Sequence, residues 1–405
     1  MPEDAVSYTP VDNSGNREQP GQQQLPLTGL KVLDLSHFLA GPYATMLLGD
    51  LGAEIIKIEP PTGDPVRAIP PHEIDGASTF FFSVNRNKRS VVLDLKAAEG
   101  REAFLDLVES ADVVCHNFRP GVLERLGIDY KSLHARNPAI VLCSIYGFDN
   151  EGPYADYPAV DSLVQALSGV MSLTGEADGP PARVGYQIGD TAGGLFAAVA
   201  ILAGVHGRRT DGQGRHVEIS LLDAQLSLLV WQAQDYLTHN IVYERMGTRH
   251  ATLPPSQAFE CSDGRHVYAT PSAIPRWWTG YCHAIDELWL NTDPRFADLA
   301  ARQTNRDQLE EILAKKFRSD TSDHWVREFQ REGVPIALVQ SVAEAFDFPT
   351  VKRREMVVEV DLVDGTTAKM VGNPIKTGAP GIFTAPPQLG QHTDDVLGTT
   401  PRVRN

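Results

Sequence analysis

Residues 31–59 read KVLDLSHFLAGPYATMLLGDLGAEIIKIE, and this stretch decides the fold class. Its two ends, residues 31–36 and 54–59, are short and largely apolar, which is typical of buried β-strands. A helix is predicted between them, from about Pro42 to Leu51, because proline suits a first helical turn, where its missing N–H would have no partner. A strand, a helix and a second strand in succession predict a parallel strand pair.

The same alternation continues along the chain. Further strands are predicted at residues 90–95, 112–115, 139–144 and 216–220, and helices at residues 97–110, at the start of the apolar run after Asp190, and at residues 222–238. Short buried strands separated by helices indicate a parallel, doubly wound sheet. We therefore predict an α/β fold.

The middle of the chain has a different texture. Residues 226–334 are rich in tryptophan and helical in pattern, with helices predicted at 306–317 and 323–332. After Gly333 the residue pattern is again typical of β-strands, and residues 356–362 with the turn at Asp364 predict a hairpin. We assign residues 27–225 and 335–405 to a large domain and 226–334 to a smaller, mainly helical domain with its linkers. Residues 1–26, polar and rich in Gln and Pro, predict a disordered or extended tail.

Composition limits the classes of function. The 405 residues carry a formal net charge of −16, which argues against a nucleic-acid or anionic-membrane partner. The four cysteines are scattered without CxxC spacing, so we predict reduced thiols and no metal site. No apolar run is expected to reach the roughly 18 residues that span a bilayer, and the N-terminus lacks signal-peptide regions. We predict a cytoplasmic protein.

Asp190 is a lone carboxylate in the stretch VGYQIGDTAGGLFAAVAILAGV, residues 184–205. Two interpretations remain open from the residues alone. An aspartate before an apolar helix is a good N-cap, because its side chain accepts the first N–H groups. The same helix end would keep the carboxylate ionised and therefore nucleophilic. Gly189, Gly193 and Gly194 keep bulk away from it, so a large substrate could reach it.

A second group of residues points to an anionic ligand. Asn117, Phe118, Arg119 and Arg125 follow the strand at 112–115, and in open α/β sheets ligands collect beyond the carboxyl ends of strands. Arginine forks bind phosphate oxygens in pairs, but solvated arginines on a capped helix are the alternative.

The first strand–helix turn carries His37, which either packs internally or lines a groove. This turn lacks the GxGxxG fingerprint, so NAD binding is disfavoured, although its helix N-terminus could still bind a phosphate. A basic cluster of Arg86, Lys88, Arg89 and Lys96 is either a solvated face or part of an anion site.

An ordered set of motifs resembles the class III CoA-transferase family (CaiB/BaiF type), over residues 27–397. The motifs are Ala40-Gly-Pro, Asp50-Leu-Gly-Ala-Glu-Ile-Ile-Lys-Ile-Glu-Pro, Gly63-Asp, Asn87-Lys-Arg-Ser, Asn117-Phe-Arg-Pro-Gly, Gly152-Pro-Tyr, Gly189-Asp, Ser220-Leu-Leu-Asp-Ala, Asp293-Pro-Arg-Phe, Gly333-Val-Pro and His392-Thr-Asp-Asp-Val-Leu. The resemblance implies a Rossmann-like large domain built from both ends of the chain, a small domain from the middle, and an interlocked dimer. The partner is either a second copy or a paralogous subunit.

The resemblance also assigns residues to the site. Asp190 matches the family's nucleophile. Coenzyme A enters as a thioester substrate, with no permanently bound cofactor. The implied CoA contacts are His37, Phe38, Ala40, Leu93, Lys96, Asn117, Phe118, Arg119, Arg125, Leu126 and Leu221. The sequence departs from some members at Leu39, Pro60 and Tyr146, and Leu39 argues against a close match to the formyl- and oxalyl-CoA enzymes.

By this analogy, Asp190 forms an anhydride with the donor acyl group and then a thioester with CoA. The donor is expected to be succinyl-CoA and the acceptor a dicarboxylate such as L-malate or citramalate. Arg67, Arg86 or Arg183 would bind the distal carboxylate. One alternative is an α-methylacyl-CoA racemase, disfavoured because Val160 stands where those enzymes have a histidine. Another is a non-catalytic partner subunit.

Overall fold

The computed structural model describes residues 24–398, which form two compact units. The first unit contains residues 24–161, 188–224 and 355–398, and the second contains 162–187 and 225–354. Residues 162–187 and 335–354 therefore lie in the second unit, whereas the sequence-based division put both in the large domain. That division into domains stays a prediction. The predicted tail lies outside the described residues except for residues 24–26.

The first unit is built on a six-stranded sheet in which every neighbouring pair is parallel. In chain order its strands are β1 (Lys31–Asp34), β2 (Glu54–Glu59), β3 (Lys88–Val92), β4 (Val113–His116), β5 (Val141–Tyr146) and β6 (Arg215–Ser220). Their order across the sheet is β3-β2-β1-β4-β5-β6. The chain thus winds outward from β1 in one direction and then in the other. This arrangement confirms the predicted doubly wound α/β fold.

Helices connect these strands and are the main regular structure of the second unit. In chain order they are α1 (Ala40–Asp50), α2 (Thr79–Val84), α3 (Ala98–Val108), α4 (Val122–Leu126), α5 (Tyr130–Arg136), α6 (Asp161–Leu167), α7 (Val170–Leu173), α8 (Ile188–Asp211), α9 (Leu221–Leu228), α10 (Val230–His239), α11 (Pro275–Ala284), α12 (Leu299–Thr304), α13 (Arg306–Phe317), α14 (Ser322–Arg331), α15 (Val342–Asp347), α16 (Pro349–Arg353) and α17 (Thr393–Leu397). Short 3-10 turns occur at Pro65–Ala68 and Leu288–Asn291, and a short hairpin pairs Glu73–Ile74 with Ala77–Ser78.

The sheet strands are buried because their apolar side chains are covered by helices. Leu33, Ile56 and Val114 belong to one core cluster with Phe104 of α3. β2 begins and ends at its predicted residues, while β3 begins two residues earlier than predicted. The difference arises because Lys88 is buried in the strand and pairs with an internal acid, so its charge does not mark a loop.

Helix α8 packs closely on α1 through its glycines. A Cβ added to Gly194 would lie 2.6 Å from the carbonyl oxygen of Ala40, and one added to Gly193 would lie 2.3 Å from Cδ2 of Leu221. Both glycines are buried. Their lack of a side chain therefore permits close packing against Ala40 and Leu221, and their predicted role of leaving room for a substrate stays a prediction.

Within the described residues, α8 is also long and apolar enough to cross a membrane by length and composition alone. This corrects the expectation that no such run exists. Ala197, Ile201 and Gly204 are among its buried residues. A core helix of this length passes the same test, so composition does not separate the two cases.

The second unit combines helices with a three-stranded antiparallel sheet. Its strands are β7 (Gln257–Glu260), β8 (His266–Ala269) and β9 (Ile336–Leu338), with β8 in the centre. An aromatic core holds the unit together, with Phe259 stacked on Phe317 at a centroid distance of 4.5 Å and Tyr281 edge-on to Phe329. The helix predicted at residues 306–317 is observed with the same bounds, as α13.

The helix predicted at 222–238 is divided into α9 and α10. Val230, the first residue of α10, has a φ of +41°, which interrupts the regular helical path. The predicted hairpin near the end of the chain is confirmed as β10 (Val357–Asp361) and β11 (Thr367–Val371), paired antiparallel in the first unit.

Candidate active site

The predicted ligand contacts follow the carboxyl ends of the parallel strands. His37 and Phe38 follow β1, Leu93 follows β3, Asn117 and its neighbours follow β4, and Leu221 follows β6. Parallel strands end at the same edge of a sheet, so the fold of the first unit brings these loops to one edge. This edge is called the ligand edge below.

Two of these loops are locked together by a reciprocal pair of hydrogen bonds. The backbone N–H of His37 donates to Oδ1 of Asn117 at 2.8 Å, and Nδ2 of Asn117 donates to the carbonyl oxygen of His37 at 2.7 Å. The His37 ring lies edge-on to Phe118, with centroids 5.4 Å apart. The sequence placed these residues in separate motifs, and the structure brings them into contact.

His37 retains an unused polar atom. Its Nε2 is buried and has no hydrogen-bond partner among the described residues. Buried polar atoms are nearly always paired, so an unpaired one at the ligand edge favours the groove interpretation of His37 over simple packing.

Apolar contacts complete the ligand edge. Phe118 and Leu126 are partly buried and pack against the core cluster that contains Leu93. Ala40, Leu93 and Leu221 are themselves buried in the first unit, with at most 7% of their surface exposed. These three residues therefore shape the edge from beneath.

Three cations at the ligand edge are free of protein anions. Lys96, Arg119 and Arg125 are exposed, and none of them forms an ion pair with any residue that the structure describes. A Cβ on Gly121 would lie 3.0 Å from Nη1 of Arg125, so the guanidinium lies next to this glycine turn. Unpaired cations in a chain with a net charge of −16 suit a polyanionic ligand.

The rest of the predicted basic cluster is already neutralised. Arg86 forms two hydrogen bonds with Asp50, at 2.8 and 2.6 Å. Lys88 is fully buried and lies 2.9 Å from Asp34, while Arg89 pairs with Glu54 at 2.7 Å. Of the four cations in this cluster only Lys96 remains for a ligand, so the interpretation of the whole cluster as an anion site is wrong.

A buried ionic network beneath the ligand edge was not found from the sequence. Nζ of Lys57 donates to the carbonyl oxygen of Ser36 at 2.8 Å and to Oδ2 of Asp64 at 3.0 Å. Oδ1 of Asp64 accepts from the backbone N–H of Phe38 at 3.4 Å and of Val66 at 3.1 Å. The available signal was a lysine in the middle of an otherwise apolar strand.

This network supports an unusual backbone conformation. Phe38 has a φ of +63°, in the left-handed region that bulky residues seldom adopt, and its side chain is 49% exposed. Strained residues persist where their surroundings fix them, and they concentrate at functional sites. Asp64 and Lys57 supply that support from inside the protein.

Asp190 is the third residue of α8 and does not cap it. The helix begins at Ile188, and the carboxylate that accepts its first N–H groups belongs to Asp161. Oδ1 of Asp161 lies 2.7 Å from the backbone nitrogen of Gly189 and 3.3 Å from that of Asp190. The N-cap interpretation of Asp190 is therefore wrong.

The electrostatics of Asp190 differ from the expectation as well. Burial, followed by the negative charge of Asp161, raises the pKa of the Asp190 carboxyl to about 7. No residue that the structure describes in the first unit donates a hydrogen bond to its side chain. The helix end was expected to keep this carboxylate fully ionised, but near neutral pH the two protonation states coexist.

Leu221 lies on the same side of α8 as Asp190. It contacts the helix at Gly193, three residues after Asp190, and residues three apart in a helix share a face. The structure thus brings the predicted nucleophile and the predicted thiol-arm contact to one helix face.

The three candidate arginines for a distal carboxylate differ in availability. Arg67 forms two hydrogen bonds with Glu59, at 2.8 and 2.7 Å, and Arg86 is paired with Asp50. Arg183, in the second unit, is exposed and forms no ion pair with any described residue. Arg183 is the one of the three that could bind a carboxylate without breaking an ion pair among the described residues.

Comparisons with known proteins bear on the family of the chain. The CoA-transferase family III model matches residues 27–393. The chain is 38% identical to the acetyl-CoA:oxalate CoA-transferase of Acetobacter aceti over 88% of its length and 90% of that protein. It is also 38% identical to the succinyl-CoA:mesaconate CoA-transferase of Haloarcula hispanica, over 92% and 95%. The crystal structure of a CAIB/BAIF family protein from Brucella suis superposes with a TM-score of 0.82 at 34% identity, covering 92% of this chain and 99% of that one.

Proposed function

The chain belongs to CoA-transferase family III and is a CoA-transferase, and we propose that it moves CoA from succinyl-CoA to a dicarboxylic acid such as L-malate or citramalate. One observation carries the proposal. Asp190 presents a half-buried carboxylate, without hydrogen-bond donors from the described residues of its own unit, on the face of α8 that Leu221 contacts. A carboxylate in this state is suited to nucleophilic attack.

The ligand edge supplies the binding half of the reaction. Lys96, Arg119 and Arg125 would bind the phosphates of CoA, because arginine and lysine side chains without internal partners bind an anion without breaking an existing ion pair. His37 and Phe118 would contact the rest of the CoA thioester, with the unpaired Nε2 of His37 available for one hydrogen bond. This binding would hold the thioester near Asp190 and convert attack into an intramolecular step.

The chemistry proceeds by acyl exchange, with no change in oxidation state. The ionised Asp190 carboxylate attacks the donor thioester carbonyl, and the C–S bond breaks to give a mixed anhydride and CoA thiolate. The thiolate attacks the Asp190 carbonyl and displaces the donor acid, which leaves an aspartyl-CoA thioester. The acceptor carboxylate then repeats these two displacements in reverse order, which regenerates Asp190. Dividing the transfer in this way replaces one difficult step with several easier ones.

The choice of acids rests on similarity to relatives. The two relatives above are named for oxalate and mesaconate, both dicarboxylates, at equal identity. Leu39 therefore does not separate this chain from the oxalate enzyme by overall similarity. Within the first unit, Arg67 and Arg86 already pair with Glu59 and Asp50, so neither is available for the distal carboxylate of an acceptor. The overall sequence pattern favours succinyl-CoA with L-malate, as in a two-subunit succinyl-CoA:L-malate CoA-transferase in which this chain is the β subunit.

The decisive experiment combines turnover with trapping. The purified chain is incubated with succinyl-CoA and, in turn, L-malate, citramalate, mesaconate, glutarate and oxalate, and product thioesters are quantified. Hydroxylamine is then added and peptides are analysed by mass spectrometry. We expect a hydroxamate on Asp190, lost in Asp190→Asn. An adduct on another residue, or turnover retained by Asp190→Asn, would overturn the assignment.

Two alternatives make different predictions. A racemase would exchange the α-proton of a 2-methylacyl-CoA for deuterium in D₂O. We expect no exchange, since Val160 offers no acid or base at the position of the racemase histidine. A non-catalytic subunit would show neither turnover nor a hydroxamate alone. For the proposed interlocked dimer, native mass spectrometry of the active preparation distinguishes a homodimer from a complex with a paralogue.

A further inference from the structure

The carboxylate of Asp161 accepts the backbone N–H groups at the start of α8 that could otherwise donate to the Asp190 side chain. The first N–H groups of any α-helix have no partner within the helix. At α8 two of them, from Gly189 and Asp190, point at Oδ1 of Asp161, at 2.7 and 3.3 Å. Asp161 begins α6 and is 7% exposed, so its carboxylate is held inside the first unit.

This arrangement has a cost that a purely structural cap would not require. An asparagine or serine at position 161 could accept the same N–H groups without bringing a charge. The carboxylate instead places a second negative charge near the half-buried Asp190. Like charges at short range oppose one another in a desolvated environment.

We propose that Asp161 is a positioning residue for the nucleophile: its carboxylate fixes the first turn of α8, leaves Asp190 without backbone donors and places a negative charge beside it. This inference rests on the proposed role of Asp190. A carboxylate whose oxygens accept no hydrogen bonds keeps its lone pairs available for attack on a thioester. The same carboxylate bonded to its own helix end would be stabilised in its ground state and would attack more slowly.

The neighbourhood of Asp190 makes the effect attributable to Asp161. Among titratable groups of the described residues, Asp161 is the one whose charge acts on Asp190. On α1, Tyr43 lies beside α8 at Gly194, and burial raises the pKa of its hydroxyl, which favours the neutral phenol. Leu221, which lies against α8 at Gly193, carries no charge.

Three variants separate the parts of the proposal. Asp161→Asn keeps an acceptor oxygen for the α8 N–H groups but removes the charge. Asp161→Ala removes both. Asp156→Asn is the matched control, because Asp156 is exposed on the segment that leads to Asp161 and has no influence on Asp190.

Each variant is measured in two ways. The first is the pH dependence of kcat/KM for succinyl-CoA with the best acceptor. The second is the rate at which a water-soluble carbodiimide with labelled glycinamide modifies Asp190, followed by peptide mass spectrometry across the same pH range. The second measurement follows the protonation of Asp190 without turnover.

In both measurements we expect the midpoint for Asp161→Asn to fall by about one pH unit relative to the wild type. Asp156→Asn should match the wild type. Asp161→Ala should in addition lose roughly 10–100-fold in its plateau kcat, because the first turn of α8 is no longer fixed. A wild-type midpoint in Asp161→Asn by both methods would overturn the proposal, as would an unchanged plateau in Asp161→Ala.

The two proposals fail in distinguishable ways. If the wild type forms no Asp190 hydroxamate with any thioester, the proposed function fails, yet the labelling midpoints still test the effect of Asp161 on Asp190. If the hydroxamate forms and the midpoints do not move, the function stands and the role of Asp161 is wrong.

Discussion

Nζ of Lys57 lies 3.0 Å from Oδ2 of Asp64, and both side chains are completely shielded from solvent. The pair joins β2 to the loop after it, and each partner also holds the first strand–helix turn: Lys57 through the carbonyl of Ser36, and Asp64 through the N–H of Phe38. An ion pair inside the protein thus supports the loop that begins the ligand edge.

Breaking this pair should affect both stability and binding. Lys57→Met leaves the Asp64 carboxylate buried without its cation, which typically destabilises a protein by about 3–5 kcal/mol. The turn at Phe38 should loosen, so KM for the acyl-CoA should rise. Chemical denaturation and steady-state kinetics measure the two effects.

Lys315→Met is the control for this substitution. Lys315 pairs with Glu311 at 2.7 Å, but both side chains are about 70% exposed (73% and 68%). An exposed pair contributes roughly 0–1 kcal/mol. Equal stabilities for the two variants would show that the Lys57–Asp64 pair does not stabilise the protein.

The Lys57–Asp64 pair also illustrates what the sequence could not predict. The sheet was predictable because short apolar runs at regular spacing constrain a parallel fold strongly. The partners of charged residues were not, because pairing depends on which loops meet. Arg86 appeared to belong to a basic surface, yet it lies against Asp50 of α1 in the folded unit. Likewise, the state of Asp190 depends on Asp161, whose carboxylate reaches it only after α6 and α8 have formed.

Gly194 should not tolerate a methyl group. In an exposed helix, replacing glycine by alanine stabilises by about 1 kcal/mol, since alanine is the best helix former. At Gly194 the new Cβ would lie 2.6 Å from the carbonyl oxygen of Ala40, so α1 and α8 must separate. We expect Gly194→Ala to lower the melting temperature and raise KM for the acyl-CoA.

Gly185→Ala provides the comparison for Gly194. A Cβ at Gly185 meets nothing within 4 Å, and its backbone does not require a positive φ. This variant should melt within about one degree of the wild type, which corresponds to a small fraction of a kcal/mol for a chain of this size. A stabilised Gly194→Ala would contradict the close contact between α1 and α8.

Asp190 should lower the stability of the protein at alkaline pH. Its folded-state pKa of about 7 lies above the ordinary aspartate value of 3.8, so between these values the folded state binds more protons than the unfolded state. Stability therefore falls as pH rises from about 4 to 7, and the full cost is present above pH 7. Asp190→Asn should remove this cost and be more stable than the wild type at pH 8, by at least about 1 kcal/mol.

The comparison across pH tests the sign of this effect. At pH 4 the two proteins should have nearly equal stabilities, because Asp190 is then protonated in the folded state. Denaturant unfolding of both at pH 4, 6 and 8 gives the difference directly. A constant difference at all three values would mean that Asp190 does not titrate near pH 7.

The free cations of the ligand edge should control binding of CoA rather than the chemical step. Arg119 and Arg125 have no anionic partner among the described residues, so replacing either by glutamine disturbs no internal pair. Loss of one charge-assisted bond to a phosphate costs about 1.5–3 kcal/mol, which is roughly 10–100-fold in KM, with kcat little changed.

Arg89→Gln is the matched control, because Arg89 already pairs with Glu54 at the opposite end of β3. Added salt should raise KM for the wild type more than for Arg125→Gln, since one of the screened contacts is gone. An equal rise in KM for Arg89→Gln and Arg125→Gln would place the phosphates elsewhere on the protein.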